Sequence, residues 1–259
     1  MNLNLQDKIY VVTGGSKGIG EAITHAITSE GGTVIIASRS EAETKNLVNV
    51  LKDQGSKCHG IIGDLQSTGF CKKVIADTTA LFGRIDGIVN NAGLNDSAGL
   101  EAGPEAFRAS LDVNLYHYYD LVHYALPHLK KSKGSIVNIS SKVALTGQGG
   151  TSGYAAAKGA QLALTREWAA ELLPYSIRVN AILPAEVMTP LYQKWLDTFE
   201  NPDAKVAAII SKIPLEKRMT TSQEIAAMAV FLLSDVSAHT TGQFMIVDGG
   251  YVHLDRALT

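Results

Sequence analysis

Short runs of apolar, largely β-branched residues alternate with longer stretches of mixed polarity along most of the chain. The short runs predict β-strands over residues 9–13, 33–37, 58–63, 87–90, 135–140, 177–183 and 243–247. Several are apolar throughout, which is typical of parallel strands covered by helices on both faces. The longer stretches predict helices, for example over 18–30, 41–54, 68–82 and 153–173. The pattern therefore predicts repeated strand–helix units around a mostly parallel sheet.

The segment 187–214 interrupts this rhythm between the last two predicted strands. It is rich in bulky residues such as Tyr192, Trp195 and Phe199, and we expect it to form a lid over the carboxyl edge of the sheet. The chain has no Pro/Ser-rich linker, internal repeat or low-complexity tract. Residues 1–259 therefore predict a single α/β domain.

Composition narrows the class of protein. The 259 residues are 46% hydrophobic with a formal net charge of −2, which gives no strong attraction to nucleic acid. The longest apolar run, residues 225–233, is too short to span a bilayer, and the first residues lack the layout of a secretory signal. Cys58 and Cys71 have no metal-type spacing, and two thiols fit a reducing compartment. We expect a cytoplasmic protein with a small-molecule substrate, without a membrane, nucleic-acid or metal partner.

A glycine-rich turn, TGGSKGIG over residues 13–20, joins the first predicted strand to the first predicted helix. Its glycines permit a tight turn and let backbone N–H groups approach a pyrophosphate at the positive end of a helix. The spacing differs from the G-x-G-x-x-G fingerprint, and such a turn alone is only weakly specific. Its setting between a strand and a helix favours a nucleotide site.

Tyr154 and Lys158 are four residues apart on a predicted helix and so share a face. A free tyrosine has a pKa of about 10 and is a poor base at neutral pH. A positive charge about 5 Å away, at an effective dielectric near 20, is worth roughly 3 kcal/mol or about two pKa units. We expect Lys158 to lower the pKa of Tyr154 in this way, and Ser141 to donate to a substrate oxygen. A lone Y-x-x-x-K match is usually an ordinary amphipathic helix, but the glycine turn upstream favours hydride transfer.

These motifs, with Asn90-Asn91-Ala92-Gly93 and Asn114, resemble the short-chain dehydrogenase/reductase family over essentially the whole chain. The resemblance implies a doubly wound, Rossmann-type sheet of seven parallel strands and a homotetramer. It also implies that Asn114 holds a water that relays protons to Lys158, which gives the catalytic set Asn114, Ser141, Tyr154 and Lys158. The nicotinamide cofactor site predicted from the turn and the resemblance comprises Gly14, Ser16, Lys17, Gly18, Ile19, Gly20, Ser38, Arg39, Asp64, Leu65, Asn91, Ala92, Gly93, Tyr154, Lys158, Pro184, Val187 and Thr189.

The end of the second strand bears on which nicotinamide is used. NAD-binding sites place a carboxylate here for the ribose 2′-hydroxyl, but this chain has none before Glu41. Arg39 follows the strand and Lys17 lies within the glycine turn, and two cations suit a 2′-phosphate. The pattern favours NADP over NAD. The alternative is that both cations are solvated surface groups.

Polar residues around the predicted active site indicate the kind of substrate. Their amide, ammonium and carboxylate groups suit a ligand with many hydroxyls, whereas an acyl or steroid site would be mainly apolar. Trp195 either offers an aromatic face to a sugar or fills space beneath the lid. The predicted substrate site comprises Asn95, Ser141, Lys142, Gln148, Tyr154, Glu186 and Trp195.

Residues 138–169, 181–192 and 248–259 resemble bacterial L-fucose dehydrogenases. This resemblance implies oxidation of the anomeric C1 hydroxyl of L-fucose or a similar aldose to the lactone, with Tyr154 as general base. His253 and Arg256 in the tail either close a pocket, including that of a neighbouring subunit, or pack in an interface. Two alternatives stay open: a ketone or 3-oxoacyl carrier-protein reductase of the same family, and a non-catalytic nucleotide-binding protein.

Overall fold

Parallel strands form the centre of the structure, a computed structural model that describes residues 2–254. The strands are β1 (Ile9–Thr13), β2 (Thr33–Ser38), β3 (Cys58–Ile62), β4 (Gly87–Asn90), β5 (Ser135–Ile139), β6 (Arg178–Pro184) and β7 (Phe244–Val247). They form a seven-stranded sheet in the order β3-β2-β1-β4-β5-β6-β7. The order reverses between β1 and β4, and ligands of such sheets bind outside the carboxyl ends of the strands at this point.

Helices cover both faces of the sheet. They are α1 (Gly18–Ser29), α2 (Glu41–Asp53), α3 (Thr68–Phe82), α4 (Gly103–Leu111), α5 (His117–Ser132), α6 (Ser152–Glu171), α7 (Pro190–Leu196), α8 (Pro202–Ile210) and α9 (Ser222–Leu233). Residues of α1, α2 and α9 pack on one face, and residues of α3, α5 and α6 pack on the other. The predicted Rossmann-type, doubly wound fold in a single domain is confirmed.

Alternate residues of each strand enter opposite halves of the core. In β1, Tyr10 and Val12 pack toward α1 and α9, whereas Ile9 and Val11 pack toward α3 and α5. All four are buried. This two-sided burial explains why the inner strands read as continuous apolar runs, because neither of their faces meets water. The edge strands β3 and β7 are only partly buried.

The last predicted strand begins one residue later than expected. Two short helices lie between β6 and α9. Helices α7 and α8 occupy most of the predicted lid, 187–214. The Thr189 hydroxyl caps α7 by accepting a hydrogen bond from the Tyr192 N–H at 3.1 Å. The segment that is predicted as a lid therefore contains a capped helix that begins shortly after β6.

Candidate active site

The carboxyl ends of the strands open into a cavity of about 1050 Å³. Every residue predicted for the cofactor or the substrate lines it. Asn114, predicted as catalytic, is fully buried behind its wall. The fold thus brings the two predicted sets together in one continuous space, at the place where doubly wound sheets bind ligands.

The glycine turn is closely packed against the loop that follows β4. A Cβ on Gly20 would overlap the carbonyl oxygen of Gly14 and lie 2.6 Å from Nδ2 of Asn91. The hydroxyl oxygen of Thr13 accepts hydrogen bonds from the backbone N–H groups of Asn91, at 2.8 Å, and Ala92, at 2.9 Å. The Asn91 side chain donates back to the Thr13 carbonyl at 2.9 Å. These contacts hold the two loops that are predicted to bind the cofactor in one fixed arrangement.

Helix α1 begins at this turn without a side-chain cap. Lys17 is its N-cap residue and makes no capping hydrogen bond, and Gly18, Ile19 and Gly20 line the cavity. Uncapped N–H groups at the positive end of a helix form a binding site for an anion. The turn and the helix start therefore fit the pyrophosphate of a nicotinamide dinucleotide.

Both cations that favoured NADP have carboxylate partners. Lys17 forms an ion pair with Glu43, and a guanidinium nitrogen of Arg39 lies 4.0 Å from a carboxylate oxygen of Asp64. All four side chains are between 44% and 58% exposed. Glu43 lies in the first turn of α2 and was missed by sequence reasoning. This corner of the cavity therefore carries two carboxylates, from Glu43 and Asp64, beside the two cations.

Helix α6 places Tyr154 and Lys158 at the centre of the cavity wall. The Lys158 ammonium lies 5.5 Å from the centroid of the Tyr154 ring and donates a hydrogen bond to the Ile139 carbonyl at 2.8 Å. Ser141 follows β5, and its hydroxyl oxygen accepts a hydrogen bond from the Val143 N–H at 3.4 Å. Hydroxyl, phenol and ammonium groups thus converge on one region of the cavity.

Burial, rather than the neighbouring charge, dominates the acid–base properties of this pair. It raises the pKa of Tyr154 to about 12, against a smaller lowering by hydrogen bonding with Ser141. It also lowers the pKa of Lys158 to about 7. The expectation that Lys158 brings the pKa of Tyr154 below its usual value is therefore wrong for the protein alone. Residue spacing gives the attraction between two charges but not the cost of removing both from water.

Asn114 lies in a π-helical turn, Asp112–Tyr116, between α4 and α5. Its side-chain oxygen accepts a hydrogen bond from the Leu94 N–H at 2.8 Å. Its backbone carbonyl accepts a hydrogen bond from the Gln161 amide at 2.7 Å. A Cβ on Gly93 would lie 2.7 Å from the Asn114 side-chain oxygen and 3.8 Å from the Lys158 ammonium, so Asn114 and Lys158 are close neighbours. Gln161 was missed by sequence reasoning.

One part of the cavity wall holds a polar cluster of Lys142, Glu186, Tyr192 and Tyr251. Lys142 and Glu186 form an ion pair, with side chains only 11% and 13% exposed. The Tyr192 hydroxyl donates to the other Glu186 oxygen at 2.6 Å, and the Lys142 ammonium lies 4.2 Å from the Tyr251 ring centroid. Sequence reasoning identified Lys142 and Glu186 but missed both tyrosines, which reach the cluster from the lid and the C-terminal segment.

The remaining predicted substrate residues lie at the rim. Asn95 and Gln148 are exposed, and the Asn95 side chain accepts a hydrogen bond from the Ser97 N–H at 3.1 Å. Trp195 is 42% exposed and packs edge-on against Phe199, with ring centroids 4.9 Å apart. Trp195 thus packs within the lid and lines the cavity at once.

Other chemistry finds little support in the part of the chain that is described. His253 is exposed, and Arg256 lies outside the described residues. Burial raises the pKa values of the Cys58 and Cys71 thiols to about 12, which makes them poor nucleophiles.

From residue 2 to residue 254, no cluster of three His, Cys, Asp or Glu side chains could hold a metal ion. Over the same range, no helix combines the length and apolar character needed to cross a membrane.

Comparison with known proteins identifies relatives over nearly the full length. A family model described as enoyl-(acyl carrier protein) reductase matches residues 14–252. L-fucose dehydrogenase of Mus musculus is 38% identical over 245 residues, which are 94% of this chain and 88% of that protein. A 3-oxoacyl-(acyl-carrier-protein) reductase of Thermotoga maritima is 34% identical over 96% of this chain and 100% of its own length. The crystal structure of Cj0485 dehydrogenase has a TM-score of 0.94 and 46% sequence identity, covering 100% of this chain and 99% of that one.

Gly20→Ala tests whether the glycine turn holds a dinucleotide. The added methyl group must displace the Gly14 carbonyl, so we expect the affinity for NADP and NAD to fall by about tenfold or more, which is at least about 1.4 kcal/mol. Isothermal titration calorimetry measures this directly. Gly69→Ala is the matched control, because its methyl group would make only an ordinary 3.5 Å contact with the Ser67 hydroxyl. Unchanged affinity in a folded Gly20→Ala protein would contradict the assignment.

Proposed function

The chain belongs to the short-chain dehydrogenase/reductase family, and from this membership we propose that it is an NAD(P)-dependent sugar dehydrogenase. The proposed reaction oxidises the C1 hydroxyl of L-fucose or a similar aldose to the lactone. The observation that carries the proposal is the buried ion pair of Lys142 and Glu186, which lines the same cavity as Tyr154. The similarity to L-fucose dehydrogenase of Mus musculus supports it.

The polar cluster suits a ligand with several hydroxyl groups. A carboxylate offers about four acceptor positions, and the contacts from Lys142 and Tyr192 engage one on each Glu186 oxygen. The remaining positions can accept hydroxyl donors. A buried ion pair costs desolvation free energy that an apolar wall of the same shape would avoid. Its presence in the cavity wall therefore favours a sugar over an acyl chain.

Each of the proposed catalytic residues has a separate role in the reaction. The oxidised nicotinamide, when bound, supplies the hydride acceptor and a positive charge near the reacting carbon. Ser141 donates a hydrogen bond to the substrate oxygen and fixes its position. Tyr154 accepts the hydroxyl proton, and Lys158 stabilises the resulting charge. The cofactor's positive charge acts against the burial that raises the pKa of Tyr154, because it favours the ionised phenol.

A second candidate is a ketone or 3-oxoacyl carrier-protein reductase that uses the same residues. The family model and the Thermotoga maritima relative favour it. The lid residues Lys205 and Lys212 also line the cavity and could meet an anionic substrate. The Lys142–Glu186 pair weighs against it, because an acyl chain offers no hydroxyl donors to Glu186. A non-catalytic nucleotide-binding protein is less well supported, because Ser141, Tyr154 and Lys158 converge in one cavity.

We propose NADP as the preferred cofactor. Arg39 follows the end of β2 and Lys17 lies in the glycine turn. Both line the cavity, and arginine binds phosphate bidentately. The acids that pair with them are exposed, and water and salt screen such surface pairs. A 2′-phosphate can therefore replace Glu43 and Asp64 as the partner of these cations. A homotetramer and a cytoplasmic location, taken from family resemblance and composition, stay predictions.

An aldose panel tests the substrate and the cofactor together. We expect L-fucose, D-arabinose and L-galactose to reduce NADP faster than NAD, measured as initial rates from the absorbance of the reduced nicotinamide. D-fucose and L-rhamnose are stereochemical controls, and we expect their kcat/KM to be at least about tenfold lower, since a misplaced hydroxyl leaves polar groups of the site unpaired. The product should be the lactone. Activity on ketones or 3-oxoacyl substrates but on no aldose would favour the second candidate.

The pH dependence tests the role of Tyr154. A proton acceptor must be ionised, and a phenol with a pKa near 12 is ionised about tenfold more for each unit rise in pH. We therefore expect kcat/KM for oxidation to rise with pH between about pH 6 and about pH 9, and kcat/KM for the reverse reduction to fall. Tyr154→Phe should abolish turnover and retain cofactor binding. The exposed Tyr119 gives the control variant Tyr119→Phe, and an active Tyr154→Phe enzyme would contradict the mechanism.

Glu186→Gln tests the polar cluster. Hydrogen bonds to a charged group contribute about 1.5–3 kcal/mol, so we expect kcat/KM for the sugar to fall by about tenfold to about a hundredfold. Cofactor affinity should stay unchanged. Tyr192→Phe removes one bond to Glu186 without changing its charge, and we expect a smaller loss. Glu200 is an exposed acid in the segment 187–214, and Glu200→Gln is the control. Equal kinetics in Glu186→Gln and Glu200→Gln would remove Glu186 from the substrate site.

A further inference from the structure

Side chains bind two successive carbonyl groups of the π-helical turn Asp112–Tyr116. The His117 ring Nε2 lies 3.1 Å from the Val113 carbonyl oxygen, and the Gln161 amide donates to the Asn114 carbonyl at 2.7 Å. Asn114 and Gln161 are fully buried. Single π turns within helices are frequent at functional sites. This turn lies directly against the catalytic pair, because Asn114 neighbours Lys158 through Gly93.

The orientation of the Gln161 amide follows from its partner. A backbone carbonyl can only accept, so the Gln161 NH₂ group must face Asn114 and the amide oxygen must face elsewhere. That oxygen is buried and has no hydrogen-bond partner among the described protein groups. The neighbouring Tyr118 hydroxyl donates to the Ile139 carbonyl instead. Buried acceptors in folded proteins nearly always have a donor, and an exception calls for a functional or solvent partner. The Gln161 oxygen is such an exception beside an active site.

Lys158 can provide this partner. It precedes Gln161 by three residues on α6, so the two side chains lie on the same face of the helix. The ammonium has three protons, and its contact among the described hydrogen bonds is the one to the Ile139 carbonyl. That carbonyl also accepts from the Tyr118 hydroxyl at 3.1 Å. Buried donors at Lys158 and a buried acceptor at Gln161 thus occupy the same side of α6.

We propose that Gln161 is a positioning residue on the proton path of this enzyme. Its NH₂ group fixes the Asn114 carbonyl, and its oxygen accepts a hydrogen bond from a water bound to Lys158. In the oxidation, the hydroxyl proton passes to Tyr154, and a bound oxidised nicotinamide would take up the hydride with its electron pair. One proton then leaves from Lys158 through this water toward solvent, and the neutral amine takes up the proton held by Tyr154, which restores the phenolate and the ammonium. The inference rests on the proposed dehydrogenase function and not on the identity of the sugar.

Gln161→Leu and Gln161→Met test the proposal, since both fill similar space without an amide. We expect kcat to fall by about tenfold or more, KM for alcohol and cofactor to stay within about twofold, and the solvent deuterium isotope effect on kcat to increase. Thr165→Val is the matched control. Thr165 lies one turn further along α6, is equally buried and donates to the Gln161 carbonyl at 2.7 Å. We expect Thr165→Val to lose stability but to keep the wild-type kcat and isotope effect.

Wild-type kcat and isotope effect in the folded Gln161→Met protein would overturn the proposal. The same changes in Thr165→Val would also overturn it, because they would show that any lost hydrogen bond in α6 has this effect. The comparison uses whichever alcohol or ketone the wild-type enzyme converts. Failure on every aldose would therefore reject the sugar substrate and leave this test of Gln161 intact.

Discussion

The ammonium group of Lys158 lies in the protein interior, where a charge loses its hydration and must be compensated by nearby dipoles. This constraint shapes the whole site. The Ile139 carbonyl, at the end of β5, supplies one acceptor at 2.8 Å, and burial lowers the pKa of Lys158 to about 7. A lysine with this pKa can change its charge near neutral pH. The strand ends and α6 must hold fixed positions to keep Lys158 buried and bonded to the Ile139 carbonyl.

A line of buried polar side chains joins these elements to one another. The Asn90 amide donates to the Asn138 side chain at 2.9 Å, and the Asn138 amide donates to the Thr165 hydroxyl, also at 2.9 Å. Thr165 in turn donates to the Gln161 carbonyl. These bonds connect β4, β5 and α6 beneath the catalytic groups. Buried hydrogen-bond networks favour one packing of a core, and this one stabilises the contact of α6 with the sheet.

The parts of the molecule that depend on local sequence were predictable. Apolar strands and the glycine turn follow from rules that act within a few residues, so the sheet and the position of the glycine turn between β1 and α1 agree with expectation. Tyr192 and Tyr251 were missed because they meet Glu186 and Lys142 only through the fold. The pKa of Tyr154 was predicted in the wrong direction for the protein alone, because burial is a property of the whole chain. Glu43 lies close to Arg39 in sequence, but only the structure shows that it pairs with Lys17.

The bond between Tyr192 and Glu186 joins the lid to the floor of the cavity. Any movement that lifts α7 away from the sheet must break this 2.6 Å contact and admit water to the Lys142–Glu186 pair. A ligand that entered by lifting α7 would therefore have to expose this ion pair to water, and the free energy of wetting the pair would add to the barrier for its exchange.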